Sequence, residues 1–511
     1  MGALLTETGG FRKRRSGYKI ALVYPNRYQI GMANLGLHTV YSILNGYEEV
    51  ACERFFLGIQ NSIETNSPLS SFDAIGFSLQ YELDYINLVR ILDSNGIEPV
   101  REKRRGPIIM AGGPCVFNPL PLSKFVDLFV IGDLEPVADK IVEGLVVGTP
   151  PGSIAESTGG IFSPELMNPT EAQSAGNLDL IPAPINQPRP TSPEFSPALG
   201  STFMVEISRG CNVRCRFCMY SHCTFPKRER SLSRIREIVD EGIRLTGSKK
   251  VSLIGALVTD HSEIKEIMSY LVERGVTVSL PSIRTDSVDE EMLELIGELG
   301  IRTLTVAPEG SPHTREILKK DLGEEGLRFV IENAPDHGVR KLRLYFIVGV
   351  PGQTEEDIRY IGKLCADSIR EFKGRGAVTA SINPLVPRPH TPTESLAMAN
   401  KKQLEGEYAR VKGQVPSRVT LKLQSIREAH LQAYLGTGNL RTGDVVLEAS
   451  RASGGLGSWR RIAPRKGDPF DRIFHAPISK PWRIINAGIS KQYLERQSRE
   501  ITVHATKGPG D

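Results

Sequence analysis

Along most of this chain, short continuous apolar runs alternate with stretches whose apolar residues recur at helical spacing. In the first third the runs are Lys19–Tyr24, Phe72–Ser78, Pro107–Ala111 and Asp127–Ile131. Helices are predicted over Leu35–Leu44, Tyr85–Asn95 and Glu135–Leu145. Strands that are apolar throughout, separated by helices, predict a parallel sheet covered on both faces. In such sheets ligands sit beyond the carboxyl ends of the strands. Here those ends carry Pro25-Asn26, Ser78-Leu79-Gln80, Gly112-Gly113-Pro114 and Gly132-Asp133.

From 149 to 200 the texture changes. Ten prolines fall between Pro150 and Pro197, which predicts an extended linker without helix or central strand. Alternation resumes at Thr202. Strands are predicted at Thr202–Ile207, Lys250–Ile254, Thr277–Leu280, Thr303–Val306, Lys341–Val348 and Ala377–Ile382. Helices between them are predicted at Ser233–Leu245, Ser262–Arg274, Val288–Leu299, Glu324–Asn333 and Thr354–Phe372. Six such units make a partial (β/α)6 barrel, two short of a full eightfold one. The remainder predicts a helix to about Lys412, a strand Ser417–Leu423, a helix Ile426–Leu435 and a last helix near Ser490–Gln497. The chain is thus expected to be α/β throughout. A doubly wound, Rossmann-like parallel sheet spans 1–148, a Pro-rich linker 149–200, a TIM-type partial barrel 201–392, and a small α/β accessory segment, expected to close the barrel mouth, 393–511.

Composition narrows the class. The 511 residues carry Lys+Arg 63 against Asp+Glu 59, a net +4, with 40% hydrophobic and 24% charged residues. That excludes wholesale disorder and leaves no strong nucleic-acid footprint. No run of about 18 apolar residues occurs, so no membrane span is expected. The first residues place a basic cluster after a weakly apolar stretch, the wrong order for export. A cytoplasmic protein is the expectation.

Of seven cysteines, Cys211, Cys215, Cys218 and Cys223 lie within thirteen residues. Clustering at ligand spacing without an export signal reads as metal or cluster binding in a reducing compartment. Cys211, Cys215 and Cys218 form Cys-x3-Cys-x2-Cys directly after the first strand of the second series. Three thiolates on one loop can hold three irons of a cubane, and a [4Fe–4S] cluster so held keeps one iron open. That open iron can bind the amine and carboxylate of a methionyl group. A structural zinc knot using Cys223 as a fourth thiolate, in a zinc-stabilised nucleic-acid-binding protein, is one alternative, and a non-catalytic scaffold that keeps the cluster only for folding is another. Against the knot, zinc ribbons use paired CxxC knuckles on hairpins. Cys223 then reads as a bystander or a substrate-side thiol, and Cys52, Cys115 and Cys365 as core residues.

With Phe217 before the last cysteine, the motif resembles that of the radical S-adenosylmethionine (radical SAM) superfamily. The resemblance implies a [4Fe–4S] cluster on Cys211, Cys215 and Cys218 and reductive cleavage of S-adenosylmethionine to a 5′-deoxyadenosyl radical that modifies an unknown substrate. It also implies an electron donor such as ferredoxin or flavodoxin. Other strand ends resemble the superfamily's layout. Gly255 ends the second strand, where the SAM amino group is received, although no acidic residue stands there. Arg284 could face the SAM carboxylate. Glu309 and Ser311 resemble the turn near ribose and methionine, and Gly349 in Gly349-Val-Pro-Gly-Gln-Thr354 the turn near adenine. The first domain, through segments such as Gly76–Leu83 and Gly112–Pro121, resembles that of uncharacterised members with a fused cobalamin-binding-type domain. Cobalamin is therefore a possible cofactor and C-methylation a possible outcome. An Asp-x-His-x-x-Gly motif for an axial imidazole is missing, and His38 reads as structural. A methylthiotransferase-like or other RNA-modifying enzyme without cobalamin is the further alternative. Domain one has only Cys52 and Cys115 for the second cluster a methylthiotransferase needs. The basic residues of the C-terminal segment (Lys422, Arg451, Arg460, Arg461, Arg465, Lys466) read as a solvated face.

Overall fold

The computed structural model describes residues 5–13, 17–372, 374–452 and 455–506. The first sheet consists of β1 (Tyr18–Tyr24), β2 (Val50–Phe56), β3 (Ala74–Ser78), β4 (Ile108–Gly112), β5 (Leu128–Val130) and β6 (Ile161–Phe162). Their order is β2-β1-β3-β4-β5-β6, parallel except for the last pair. Alternate residues of β1 face different layers. Ile20, Leu22 and Tyr24 join the core with helices Leu35–Gly46 and Ala138–Val147, while Ala21 and Val23 join the one with helix Tyr85–Ser94. Burial on both faces is why β1 reads as an unbroken apolar run. The order is the flavodoxin-like form of the doubly wound fold, with its switch point between β1 and β3.

β2 was hidden in the sequence by Glu53 and Arg54, which interrupt its apolar pattern. The structure buries Arg54, 1% exposed, by pairing its guanidinium with Glu7 and with Glu64 at 2.6 Å. A buried arginine persists only where such partners compensate its desolvation. The stretch 149–200 also corrects its expectation. It contains helix Pro151–Ser157, with Pro150 at the N-cap and Pro151 at the first helical position, where a missing N–H costs nothing. It also contributes β6 and short pairings Thr170–Glu171 with Ile485–Asn486 and Arg189–Pro190 with Glu7–Thr8.

The second series gives β7 (Phe203–Glu206), β8 (Lys250–Ile254) and β9 (Thr277–Ser279) in one parallel ladder. A second ladder holds β10 (Thr303–Glu309), β11 (Lys341–Val348), β12 (Ala377–Pro384) and β13 (Thr420–Leu423), again parallel. Across the seam Val278 N–H donates to Leu299 O at 3.1 Å and Ile283 N–H to Thr305 O at 3.3 Å. β13, expected in the accessory segment, extends the barrel sheet as a seventh strand. Helices Leu232–Thr246, Ile264–Glu273, Glu290–Glu298, Glu324–Asn333 and Glu355–Phe372 follow the strands. Ser231 and Asp289 cap two of them by accepting from Arg234 and Met292 N–H.

The two α/β units share buried polar contacts. Glu82 of the first accepts from Arg388, in the loop after β12, at 2.5 Å and from Gln432 of helix Ile426–Gly436 at 3.0 Å. The final helix, Lys491–Thr506, runs well past its expected end. Ile501 packs with Ile317, Leu318, Ile347 and Val350 beside Phe217. Among the described residues no helix is long and apolar enough to cross a membrane.

Candidate functional site

The cysteine loop is a closed excursion from the end of β7. Ser208–Arg209 pairs antiparallel with Arg228–Glu229, so residues 210–227 leave and return at one point. Gly210 makes this closure possible: its φ is +86°, and a Cβ there would lie 2.3 Å from Thr224 O and 2.6 Å from Pro226 O. Within the loop Cys218 N–H donates to Cys215 O at 3.0 Å, and Gly210 N–H donates to Tyr220 Oη at 3.0 Å. Cys218 then stands at the N-cap position of the short helix Met219–Cys223, without a side-chain capping bond. Between the cysteines, Arg216 is 3% exposed and donates to Ile317 O at 2.8 Å, Glu316 O at 3.2 Å and Gln497 at 3.1 Å, with Glu500 completing its pairing. The loop is therefore fixed from both sides before any cofactor arrives, which is what a preorganised ligand set requires.

Cys211 and Cys215 are buried and Cys218 half-buried, all three as free thiols. Burial pushes the Cys215 thiol up to about 12 and raises Cys211, while the other thiols of the set add to the shift and Lys320 opposes it. Cys211 and Cys215 thus favour the protonated thiol in the absence of a metal, and metal binding would displace those protons. Among the described residues no three Cys, His, Asp or Glu side chains converge tightly enough to hold a single metal ion in this structure. Three soft thiolates on one stapled loop fit an iron–sulfur cubane.

Glu309 ends β10 where the ladder to β11 slips register between Val306 and Glu309. Pro308 cannot donate to a ladder, and Glu309 takes φ +65°, a costly conformation for a residue with a Cβ. Its carboxyl is buried, with no hydrogen-bond partner among the described residues, and acts electrostatically on Cys215. Burial raises it to about 7, only partly offset by Lys320. The folded state therefore holds a proton between pH 4.5 and 7 that the unfolded chain releases. That contribution is complete at low pH and is lost as the pH rises through 7, about 3 kcal/mol in all. Urea unfolding of the cluster-free protein should show Glu309→Gln gaining on wild type by up to that amount between pH 5 and 8. Parallel stability curves would mean the carboxyl is solvated.

The other sequence-derived positions have local partners. Gly255 follows β8, and a Cβ there would meet Ser208 Oγ at 2.5 Å, so this glycine lets β8 close on the stem of the cysteine loop. Arg284 is held by Asp321 at 2.7 Å and Asp286 at 3.5 Å. Ser311 caps helix Pro312–Leu318, accepting from Thr314 N–H at 3.1 Å, and donates to Asp357. Gly349 has φ +74°, gives its N–H to Gln353 and faces Leu404 and Ala399. Gly352 lies against Ala505 of the last helix. Cys211, Cys215 and Glu309 share Lys320, a residue the sequence reading missed, as an electrostatic neighbour, and Gly349 and Gly352 pack against protein.

A cavity of about 510 Å³ opens between the first sheet and the cysteine loop. Its floor is the glycines Gly76, Gly112 and Gly132, with Ser78 and Gln80, and its roof is Met219, Tyr220 and Cys223. Ile20, Leu22, Met110 and Val130 of the sheet wall it together with the helix Leu35–Gly46. Ions close one side: Arg209 pairs with Asp133 at 3.1 Å, Glu135 at 2.9 Å and Glu206 at 2.9 Å, and Arg228 with Asp133 at 2.9 Å. His38 does not line the cavity; its Nε2 lies 3.1 Å from Met32 O, and burial lowers its pKa to about 4. Cys52 is buried on β2 and bonded to Asn45, and Cys115 is buried beside Tyr85.

A cluster loop at the end of the first strand of a parallel barrel, with a doubly wound domain before it, defines a class. Residues 205–365 match the family model described as the radical SAM superfamily, and residues 36–149 match that of radical SAM proteins, N-terminal. The chain belongs to the radical SAM superfamily and is an enzyme of that superfamily, whose members use a [4Fe–4S] cluster and S-adenosylmethionine. It is 33% identical over 76% of its length to Uncharacterized protein MJ0966 of Methanocaldococcus jannaschii, covering 82% of that protein. It is 24% identical to the ribosomal protein uS12 methylthiotransferase RimO of Marinobacter nauticus, over 67% of this chain and 74% of that one. In fold it is similar to the radical S-adenosylmethionine methyltransferase TsrM from Kitasatospora setae, solved with cobalamin and a [4Fe–4S] cluster. That match has a TM-score of 0.56 and 13% identity, over 86% of this chain and 100% of that one.

Proposed function

We propose that this enzyme binds a corrinoid in the cavity between its first sheet and its cysteine loop, and uses it with S-adenosylmethionine to methylate an unactivated carbon. The observation that carries this is the glycine floor. Gly76 lies inside β3 and Gly112 ends β4, yet a Cβ at either would meet nothing closer than 4.0 Å. Glycine inside a strand weakens it and marks close approach of another group. Here the space it leaves opens into a cavity of small-molecule size at the carboxyl ends of a doubly wound sheet. Among the described residues no histidine lines that space.

When bound, a corrinoid supplies a methyl carrier and the cluster supplies the electron that cleaves S-adenosylmethionine. The protein does the rest by placement. Cys211, Cys215 and Cys218 would hold the cluster, and Glu309 and Lys320 stand within electrostatic reach of Cys215. The apolar wall of Ile20, Leu22, Met110 and Val130 would take the corrinoid's nonpolar edge, and the Arg209 network holds the first sheet and the cysteine loop in register around it. Arg284, Ser311, Gly255 and Gly349 would then act on S-adenosylmethionine indirectly, by fixing the strand ends that surround it. Domain one lacks the cysteines for a second cluster, which weighs against methylthiotransfer. Of the six C-terminal basic residues Lys422, Arg451, Arg460, Arg461, Arg465 and Lys466, three are ion-paired among the described residues, Arg451 with Asp93 and Arg465 and Lys466 with Glu448. Free thiols at a cluster site suit a reducing, cytoplasmic compartment.

Anaerobic protein mixed with hydroxocobalamin and desalted should retain about one corrinoid per chain, and with iron, S-adenosylmethionine and reductant should release 5′-deoxyadenosine. Release of 5′-deoxyadenosine with no corrinoid retained would remove the methylation reading and leave the radical chemistry.

A further inference from the structure

The helix Met219–Cys223 has two faces. Met219, Tyr220 and Cys223 line the cavity. His222, between them, is turned to Tyr493 of the last helix, with ring centroids 6.2 Å apart. Around the Tyr493 ring stand three cations: Arg214 at 5.2 Å, Arg496 at 5.8 Å and Lys319 at 5.9 Å. Arg214 also stacks on Phe225, 3.6 Å from its ring centroid, and Phe225 is 42% exposed. Arg214 lies inside the Cys-x3-Cys-x2-Cys loop, next to Cys215.

None of these three cations has a carboxylate within 4.0 Å among the described residues. Several nearby cations do: Arg216 pairs with Glu500, Arg315 with Glu324, Arg284 with Asp321, and Lys227 with Glu229 and Asp260, whereas Lys320 and Arg499, unpaired among the described residues, add charge next to the ring. Arg214, Lys319 and Arg496 thus form a small positive ring beside the cysteine loop, in a chain of net +4. An exposed aromatic with a stacked arginine, rimmed by unpaired cations, has the composition of a docking centre. Its size suits the small, transient encounters of electron-transfer partners, and its charge suits steering by long-range fields. A polynucleotide would need a longer basic track than these few side chains.

We infer that the Tyr493-centred ring of Arg214, Lys319 and Arg496, with Phe225 at its edge, is where a small acidic one-electron carrier protein docks to reduce the cluster. This rests on the radical SAM reading and names the partner of that same site. The balance is simple. The carrier loses one electron, the cluster passes it to the sulfonium, and the C5′–S bond breaks to methionine and the 5′-deoxyadenosyl radical.

The test compares two reductants on reconstituted full-length enzyme with S-adenosylmethionine: dithionite, which needs no docking, and reduced flavodoxin, an acidic carrier. The variant is the double charge reversal Lys319→Glu and Arg496→Glu, at positions that hold no cofactor. With dithionite, 5′-deoxyadenosine formation should stay within twofold of wild type. With flavodoxin at low salt it should fall at least tenfold, mostly through KM, and Phe225→Ala should fall by several fold. Wild type should lose its flavodoxin-driven rate steeply between about 0.02 and 0.2 M salt as the Debye length shrinks. A flavodoxin rate indifferent to both salt and charge reversal overturns the inference. So does an equal loss with dithionite, which would make the ring part of the cluster's support. A gel shift with bulk tRNA that the double variant abolishes, with flavodoxin kinetics unchanged, overturns it in favour of a polynucleotide. No 5′-deoxyadenosine from wild type with dithionite would instead sink the underlying enzyme reading.

Discussion

Cys215→Ala should yield a folded, colourless protein with no 5′-deoxyadenosine formation above background, a loss of at least a thousandfold. The reason is geometric. The side chain sits mid-loop, its backbone oxygen accepts from Cys218 N–H at 3.0 Å, and Arg216 beside it carries the loop's anchors. Alanine keeps those backbone and arginine contacts, so the loop stays in place while one of three thiolates disappears. Two thiolates hold a cubane poorly, and the remaining iron positions would be taken by solvent. Cys223→Ala is the paired control. That thiol roofs the cavity, so its removal should leave iron content and the brown chromophore intact. Iron and sulfide analysis after anaerobic reconstitution checks both. Full iron in Cys215→Ala together with loss in Cys223→Ala would displace the ligand assignment.

The cysteine loop was legible because its signal is local: three thiols spaced along one loop, following a strand whose burial made it unmistakable. The barrel strands were legible for the same reason. What the sequence concealed depends on distant partners. β2 looks broken at Glu53-Arg54 because the compensating acids are Glu7 and Glu64, and only the fold brings them together. The helix Pro151–Ser157 hid behind prolines that suit a first turn as well as a linker. The last helix seemed to stop near Gln497 because Ile501, Thr502 and Val503 are β-branched and lower helix propensity. Packing of Ile501 against Ile317, Ile347 and Val350 sustains it to Thr506. The accessory segment thereby reaches the cysteine loop through Gln497 and Glu500 and the turn after β11 through Ala505.

The strand-end residues divide along the same line. Glu309 was visible as a carboxylate closing a barrel strand, and the fold adds what sequence could not: burial, a left-handed backbone and a carboxyl titrating near 7. Arg284 was visible as a cation at a strand end, but its partner Asp321 lies one β/α unit further along the chain. Ser311 reads equally as ligand or helix cap until the N–H of Thr314 is seen to use it. Lys320 escaped notice altogether, since a Lys-Lys pair after a short helix carries no signal until Cys211, Cys215 and Glu309 are found beside it.

Filling the cavity from below should separate its ligand from the cluster chemistry. Gly76→Leu and Gly112→Val place side chains where a Cβ meets nothing nearer than 4.0 Å, both at backbone angles open to ordinary residues. Neither change forces a strand apart, and valine favours the extended backbone, so the double variant should fold with wild-type or higher stability. The added groups would project into the cavity of about 510 Å³, and an occupant resting on the glycine floor cannot yield several ångströms without leaving the cysteine-loop roof. Corrinoid affinity should fall at least a hundredfold, about 2.7 kcal/mol by the usual conversion, read by spectral titration. Iron content and dithionite-driven cleavage of S-adenosylmethionine should stay within about threefold, because Cys211, Cys215, Cys218 and Glu309 sit on the barrel side. Gly132 is the wrong choice for this test, since its Cβ would strike Gln173 at 2.1 Å and damage the fold itself. Unchanged corrinoid binding in the folded double variant would place that cofactor outside the cavity, and the glycine floor would then need another occupant.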